Sequence, residues 1–269
     1  MAGTDLLFED WTAHWRRLVV DRESQAGVRP DPAYWDRRAR AFAAATKDRR
    51  DGFIEVMEPW LSPERTAIDV GAGAGRHATR LAERLDWVTA VEPSQGMRDQ
   101  IAQRDNMTVI ASSWELADPA PADLVICCHV LYGVAEVEPF IAKLEAAARE
   151  RVFIQLRYAQ MRTPAELLWP VLTGEERRRQ PQFADLYNVL FQLGVQAEAS
   201  LLNYESQQSW ASEQDFFDEH AASFGDAWNE DRVRAWLDSN TDRPADGSVV
   251  YRAGSTTSGV AHWQPRHRS

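Results

Sequence analysis

Ala67-Ile68-Asp69-Val70-Gly71-Ala72-Gly73-Ala74-Gly75-Arg76 is the stretch on which the reading of the whole chain turns. Thr66 to Val70 is a short apolar run with strand character. It meets alternating glycines at once, and a helical pattern resumes from Arg76 to Leu85. Glycines at the carboxyl end of a strand let the backbone bend sharply and let a ligand lie against main-chain N–H groups at the next helix start. A nucleotide-like ligand is implied. The dinucleotide fingerprint G-x-G-x-x-G would place its third glycine at position 76, which is Arg76, and no Gly-Lys-Ser/Thr follows to form a phosphate loop.

Working outward, strands and helices alternate. Val88 to Val91, Thr108 to Ala111, Leu124 to Cys128 and Arg151 to Leu156 read as strands, with helices from Ser94 to Arg104 and from Glu136 to Arg149. That alternation is the pattern of a doubly wound, mainly parallel sheet with helices on both faces. Upstream, Asp5 to Ala26, Ala33 to Lys47 and Gly52 to Trp60 carry helical stripes, with Val28 to Pro32 as punctuation. Downstream, Thr163-Pro164 starts a helix, Phe183 to Leu193 is another closed by Gly194, and Ala197 to Tyr204 and Gly259 to Trp263 are strands. Between these strands lies a Trp-bearing helical stretch from Glu213 to Leu237, and Val249 to Arg252 is a further strand or a lead into one. The run Arg177-Arg178-Arg179 after Glu175-Glu176 reads as a solvated helix face.

At 269 residues, 44% hydrophobic and 26% charged, the chain has the make-up of a globular protein. Its 30 Lys and Arg against 41 Asp and Glu give a net charge of −11, which repels phosphate backbones and anionic membranes, so no nucleic acid or membrane partner is expected. No segment approaches the ~18 consecutive apolar residues of a membrane span. The N-terminus lacks a secretory pattern, and Cys127 and Cys128 are adjacent and unsuited to a disulfide, so a cytoplasmic location is expected. The 11 Trp are many for this length. They fall mostly outside the glycine-turn region, which suits an apolar acceptor pocket built from cap elements or plain core packing.

The D-V-G-x-G-x-G form of the turn resembles the first motif of the class I S-adenosylmethionine-dependent methyltransferases, with the resemblance spanning about Thr66 to Leu156. It implies an α/β, Rossmann-like doubly wound sheet, mostly parallel with an antiparallel C-terminal strand, plus helical caps. The expected division is an N-terminal helical cap (1–62), a cofactor-binding α/β core (63–158), an inserted helical cap (159–196) and a C-terminal part of the sheet with a further cap segment (197–269). It implies S-adenosylmethionine as cofactor, with Gly71, Ala72, Gly73 and Gly75 approaching its methionyl and ribose parts and Asp69 organising the turn. Glu92, followed by Pro93 at the end of the second strand, matches the family acid whose oxygens accept from both ribose hydroxyls. Met97 matches the position beside the adenine. Ser113 and the Trp114 backbone match the adenine-amino position, although the family's usual Asp is missing. Tyr34, in Tyr34-Trp35-Asp36, matches a lid helix touching the methionyl end.

The segment after the fourth strand, His129-Val130-Leu131-Tyr132, comes nearest the transferred methyl in the small-molecule branch of this family. Methyl transfer is an in-line displacement that mainly needs alignment, with a base where the acceptor must lose a proton. His129 is the first candidate for that base, and it also reads as a histidine that only lines the cofactor side. Tyr132 is the second catalytic candidate, with a core role equally open. Arg157 and Tyr158, just beyond the fifth strand, are candidates for substrate binding, and Arg157 facing the cavity would suit an anionic acceptor such as a carboxylate. No metal is expected, because no acidic ligand stands at Cys128 to Val130. The function expected is methyl transfer to a small molecule, the acceptor atom being O, N or C. The alternative is a non-catalytic S-adenosylmethionine-binding regulatory or partner protein of the same fold.

Overall fold

The computed structural model describes residues 10–26, 32–46, 52–160 and 162–266. The strands are β1 (Thr66–Val70), β2 (Trp87–Val91), β3 (Met107–Ile110), β4 (Ala122–Cys128), β5 (Ala148–Arg157), β6 (Glu198–Trp210) and β7 (Val249–Trp263). They form one sheet in the order β3-β2-β1-β4-β5-β7-β6. β1 to β5 pair in parallel, while β7 runs antiparallel to both β5 and β6. The helices are α1 (Trp11–Ala26), α2 (Pro32–Thr46), α3 (Gly52–Met57), α4 (Arg76–Ala82), α5 (Gln95–Arg98), α6 (Val137–Ala147), α7 (Pro164–Thr173), α8 (Phe183–Gln192), α9 (Glu213–His220) and α10 (Glu230–Asn240).

Alternate residues of the central strands feed two apolar layers, as a pleated strand buried on both faces requires. Ile68, Val70, Val125, Cys127, Val152 and Ile154 face the layer that holds Trp15 and Val19 of α1, Ile141 and Leu144 of α6, and Leu186 and Val189 of α8. Ala67, Leu124, Ile126, Phe153 and Val260 face the layer of Phe53 and Met57 of α3 and Ala78 and Leu81 of α4. Asp69 shares this second face by alternation, which aims its carboxylate at α4.

Several boundaries differ from those the sequence predicts, each for a visible reason. The helix expected from Ser94 to Arg104 ends at Arg98. The bonds Gln100 N to Met97 O and Ile101 N to Arg98 O then tighten the chain into a turn that buries Ile101 against the glycine loop. The helix expected to reach Arg149 stops at Ala147, because Ala148 already pairs with Ala122 in the sheet. Val249 to Arg252 and Gly259 to Trp263 belong to one continuous strand, β7, held along its length by β6 with a register shift at Ser206/Gln207. The stretch from Glu213 to Leu237 breaks into α9 and α10 around two short 3-10 turns, Ala221–Ser223 and Gly225–Ala227. Residues 5–9 of the first expected helix and Lys47 lie outside the described residues.

The arginine run is not a helix face but an extended seam between α7 and α8. Arg178 reaches Ser24 Oγ at 3.1 Å, Arg179 pairs with Asp185, and Arg177 stacks 3.9 Å over the ring of Trp169. Three of the tryptophans likewise answer to packing. Trp169, Trp210 and Trp236 join Phe216, Phe217, Val233 and Tyr251 in a separate apolar cluster formed by α7, α9, α10 and the outer ends of β6 and β7.

Trp15 carries the contact that matters most for the site. Its indole is fully buried and its Nε1–H donates to Val134 O at 2.7 Å, which fixes the chain just after the turn Leu131–Gly133. Trp15→Phe should cost roughly 1–3 kcal/mol, because it strands that carbonyl and leaves a void. Urea unfolding measures this, and a stability within 0.5 kcal/mol (about the scatter of neutral surface changes) would contradict it.

Candidate active site

Strand order reverses between β1 and β4, and in such sheets the carboxyl ends at the reversal open a ligand crevice. Two loops line this crevice, the glycine turn after β1 and His129 to Tyr132 after β4. They meet at Gly71, whose φ is +68° and where a Cβ would lie 2.4 Å from Val130 Cγ2. Left-handed backbone and filled space together exclude a side chain there. Gly73 is also left-handed, at φ +55°, but a Cβ on it would meet nothing nearer than Phe42 Cε1 at 3.8 Å. Its main chain is therefore not covered by the β4 loop and is in ordinary contact with Phe42.

Two buried carboxylates shape this turn. Asp69 accepts Ala78 N–H at 3.0 Å and so serves the first turn of α4, whose N-cap Gly75 has no side chain to do so. Glu92 accepts Gly73 N–H on Oε2 and Ser94 N–H on Oε1, both at 2.8 Å. Each of its oxygens keeps a lone pair for a further donor. Burial pushes the Glu92 carboxyl above the ordinary carboxylate range, against the pull of these two N–H groups and of Arg98. Gly71 N and Ala72 N both donate to Val91 O, which ties the turn to β2.

α2 lies across the crevice and is fixed at two points. Asp36 Oδ1 accepts Ser94 Oγ–H at 2.5 Å and Gly96 N–H at 2.8 Å, while Arg38 donates to Glu219 O of α9 at 3.0 Å. Asp36 and Gly96 are so close that a Cβ on Gly96 would come within 2.8 Å of the Asp36 backbone. Tyr34, expected at the methionyl end, lies with its ring under the Arg38 guanidinium at 4.6 Å, and the α2 residue over the glycine turn is Phe42. Among the remaining expected cofactor contacts, Met97 is buried, Pro93 is exposed, and Ser113 is half-buried with its carbonyl bonded to Leu116 and Ala117. The Trp114 ring is taken up by the core beside Phe140, and its carbonyl is held by Lys143 Nζ at 2.7 Å. Its indole Nε1–H is buried without a hydrogen-bond partner among the described residues.

The β4 and β5 ends hold a second polar group. His129 has a φ of +60°, held by its N–H to Gln155 O at 2.9 Å, and its ring stacks parallel to Tyr132. His129 Nδ1 and Tyr132 Oη are 2.9 Å apart, and Tyr132 Oη also accepts Arg157 N–H at 2.9 Å. With the backbone proton pointing at Oη, the phenol proton goes to Nδ1. The hydrogen-bond network thus assigns His129 as the Nε2–H tautomer. Burial, with help from Arg157, His77 and Arg76, pushes the imidazole down to about 3. The ring is therefore neutral at physiological pH, with its basic nitrogen occupied and a donor on the other side. In this form the ring offers a donor rather than an acceptor on its second nitrogen. Burial also holds the Tyr132 phenol well above its ordinary range.

Arg157 belongs to this group, since its Nη1 donates to Tyr204 Oη at 3.0 Å and Tyr204 Oη meets Ser258 Oγ at 3.1 Å. Tyr158 does not. It leaves the sheet on the opposite face, half-exposed with its ring toward Phe183, so the two candidates for substrate binding are separated. His77 packs against Phe53 at the start of α4. Sequence reasoning missed Tyr204 and Ser258, which carry no local signal because each acts through a partner distant in the chain. Asp36 and Val130 lie in segments that the sequence singles out, without a role of their own there.

Residues 68–153 match a sequence profile described as a methyltransferase domain. Residues 68–153 thus carry the methyltransferase domain. S-adenosylmethionine is the cofactor of this family. The chain is 27% identical over 185 residues to an uncharacterized protein of Haemophilus influenzae, covering 65% of this chain and 68% of that one. The fold is similar to that of the YcgJ protein of Bacillus subtilis, with a TM-score of 0.53 at 11% identity over 80% of this chain and 98% of the other. A candidate methyltransferase from an antibiotic biosynthesis pathway of Anabaena variabilis gives 0.52 at 17% identity, again over 80% and 98%. The methyltransferase domain spans the glycine turn, both carboxylates and the β4 loop. The left-handed main chain at Gly73 and the two unfilled lone pairs of Glu92 fit an adenosine-type cofactor. Among the described residues, no group of three His, Cys, Asp or Glu side chains is placed to hold a metal ion.

The tautomer assignment makes a spectroscopic prediction. The 15N shifts of His129 should show a neutral ring protonated at Nε2 down to about pH 4, and in Tyr132→Phe the Nδ1 resonance should change while the fold persists. A ring that titrates near pH 6.5 would contradict the assignment.

Proposed function

We propose that the protein transfers the methyl group of S-adenosylmethionine to a small-molecule acceptor. The observation that carries this reading is Glu92, a buried carboxylate at the end of β2 that holds the glycine turn through Gly73 N and keeps a lone pair on each oxygen. Two vicinal hydroxyls suit that acceptor pair, as the acid at this place in dinucleotide folds takes ribose hydroxyls. The left-handed glycine turn lets a ligand approach the main chain, and Met97 offers a buried apolar side chain beside it. When bound, the cofactor supplies an electrophilic methyl group on a positively charged sulfur. The chain's own residues align the acceptor, exclude water and need move no proton through His129.

Two features support a small acceptor. α2 is pinned beside the glycine turn at Ser94, Gly96 and Glu219, with Phe42 against Gly73, which narrows access to that turn. The net charge of −11 disfavours a nucleic-acid substrate. The polar cluster of His129, Tyr132 and Arg157 lies beyond the cofactor residues, where an acceptor is required and a silent cofactor-binding protein has no use for it. That placement favours turnover.

Titration calorimetry with S-adenosylmethionine tests the reading. Glu92→Gln should weaken binding by roughly 10- to 100-fold, from losing charge-assisted hydrogen bonds of about 1.5–3 kcal/mol. Affinity should also fall as pH drops through the raised Glu92 value, because the protonated acid gives up one acceptor, and Glu92→Gln should flatten that dependence. No heat up to a millimolar ligand, or a variant equal to wild type, would overturn it.

A further inference from the structure

We propose that the acceptor is a small carboxylic acid docked on Arg157, and that its carboxylate oxygen receives the methyl group. This rests on the methyl-transfer reading and adds the substrate class and the acceptor atom.

The first ground is an uncompensated charge. Arg157 is half-buried at the carboxyl end of β5, and among the described residues its guanidinium makes one hydrogen bond, to Tyr204 Oη, and no ion pair. The other arginines of the same strand are paired, Arg149 with Asp123 at 3.4 Å and Arg151 with Glu198. A partly desolvated cation held without a counter-charge is costly unless a ligand supplies one. The nearby carboxylates do not serve, since Asp69 and Glu92 are turned to backbone donors around the glycine loop.

The second ground is that the guanidinium is positioned rather than free. Tyr132 Oη takes the Arg157 N–H, and Tyr204, seated on the fully buried Ser258, takes Nη1. The remaining N–H groups form a planar fork that matches a carboxylate in two-point fashion. The Arg76 guanidinium acts on His129 from the side of α4 and adds positive potential at the same end of the sheet.

The third ground is that His129, the imidazole held against this group, offers no free basic nitrogen. Its Nδ1 is occupied by the Tyr132 phenol, and Nε2 carries its proton. An alcohol or an ammonium would have to shed a proton that His129 in this form does not take. A carboxylate is already ionised at neutral pH. As its oxygen forms the O–CH3 bond, the methyl–sulfur bond breaks and its electron pair stays on sulfur. One positive and one negative charge disappear, a methyl ester and a thioether remain, and no proton moves.

The test uses the full chain saturated with S-adenosylhomocysteine, with benzoate, 3-phenylpropionate and octanoate as probes, their primary amides as neutral controls and inorganic phosphate as a competing anion. Arg157 Nε–H resonances should shift on titration of at least one carboxylate, with binding at least tenfold weaker for its amide and in Arg157→Gln, and partly restored in Arg157→Lys. With labelled S-adenosylmethionine, a turned-over acid should yield base-labile label recovered as methanol, whereas an ether or methylamine keeps its label in base. Equal binding of acid and amide, unchanged binding in Arg157→Gln, tighter binding of phosphate than of every carboxylate, no response up to about 100 mM, or base-stable product would overturn the proposal. Cofactor calorimetry on the same sample separates the two readings. If S-adenosylmethionine binds and the carboxylates do not, the acceptor class alone fails; if the cofactor does not bind, the methyl-transfer reading fails. Thermal melting confirms that Arg157→Gln is folded, and Tyr204→Phe, a milder change, should weaken the carboxylate about threefold.

Discussion

The carboxylate of Glu92 is the interaction on which the rest of the site depends. A buried anion must be hydrogen-bonded, and here both donors come from main chain, Gly73 on one side and Ser94 on the other. That requirement holds the glycine turn of β1 against the turn that follows β2. Ser94 then passes the constraint outward, because its hydroxyl both accepts Met97 N–H and donates to Asp36. The position of α2, and with it the roof of the crevice, is thus tied to the group best placed to sense a bound ribose. A ligand hydroxyl arriving at Glu92 would compete with or complement these N–H donors, so cofactor occupancy and lid position share one hydrogen-bond network.

The core of this arrangement was legible in the chain because its signals are local. Asp69 at the end of an apolar run, Gly71 and Gly73 after it, and Glu92 at the end of the next run each sit where strand periodicity alone places them. β1 has the boundaries expected of Thr66 to Val70 because both its limits are chemical, a polar Thr66 bonded to Asp123 and a glycine that cannot continue the strand. α5 was not legible, since its end is set by Ile101 packing on Gly75, a contact between two distant segments. β7 was read as two fragments because Gly254 and the polar residues around it look like a turn, and only the long partner β6 keeps them extended. For a related reason the chain alone does not place the tryptophans. Helical spacing shows that a stripe is buried but not against what, and Trp169, Trp210 and Trp236 turn out to bury one another's neighbourhood.

His129 shows the limit of reasoning from residue type. An imidazole near a reaction centre suggests a base, yet basicity depends on what each nitrogen already holds. That is fixed here by Tyr132, three residues on, and by the backbone of Arg157 in another strand. The left-handed backbone at His129 belongs to the same account. A non-glycine residue is strained at a φ of +60°, and the bond to Gln155 O together with the Tyr132 stack holds it there. The loop after β4 is therefore a fixed wall of the crevice.

Charge is distributed across the sheet edge in a way that bears on the chemistry. The carboxylates lie at the β1 and β2 ends and the uncompensated guanidinium at the β5 end, with a neutral imidazole between them. Such a field favours a cationic group toward β1 and an anionic group toward β5. On the methyl-transfer reading, a sulfonium and a carboxylate brought together in this order lose their opposite charges as the bond forms. Water would oppose that step, because it solvates the separated ions better than the neutral products. A crevice roofed by α2 and floored by Val130 and the glycine turn weakens that solvation, while Arg157 and His129 keep the acceptor aligned. Positioning and partial desolvation are then sufficient sources of rate, which is consistent with an imidazole that offers no free basic nitrogen.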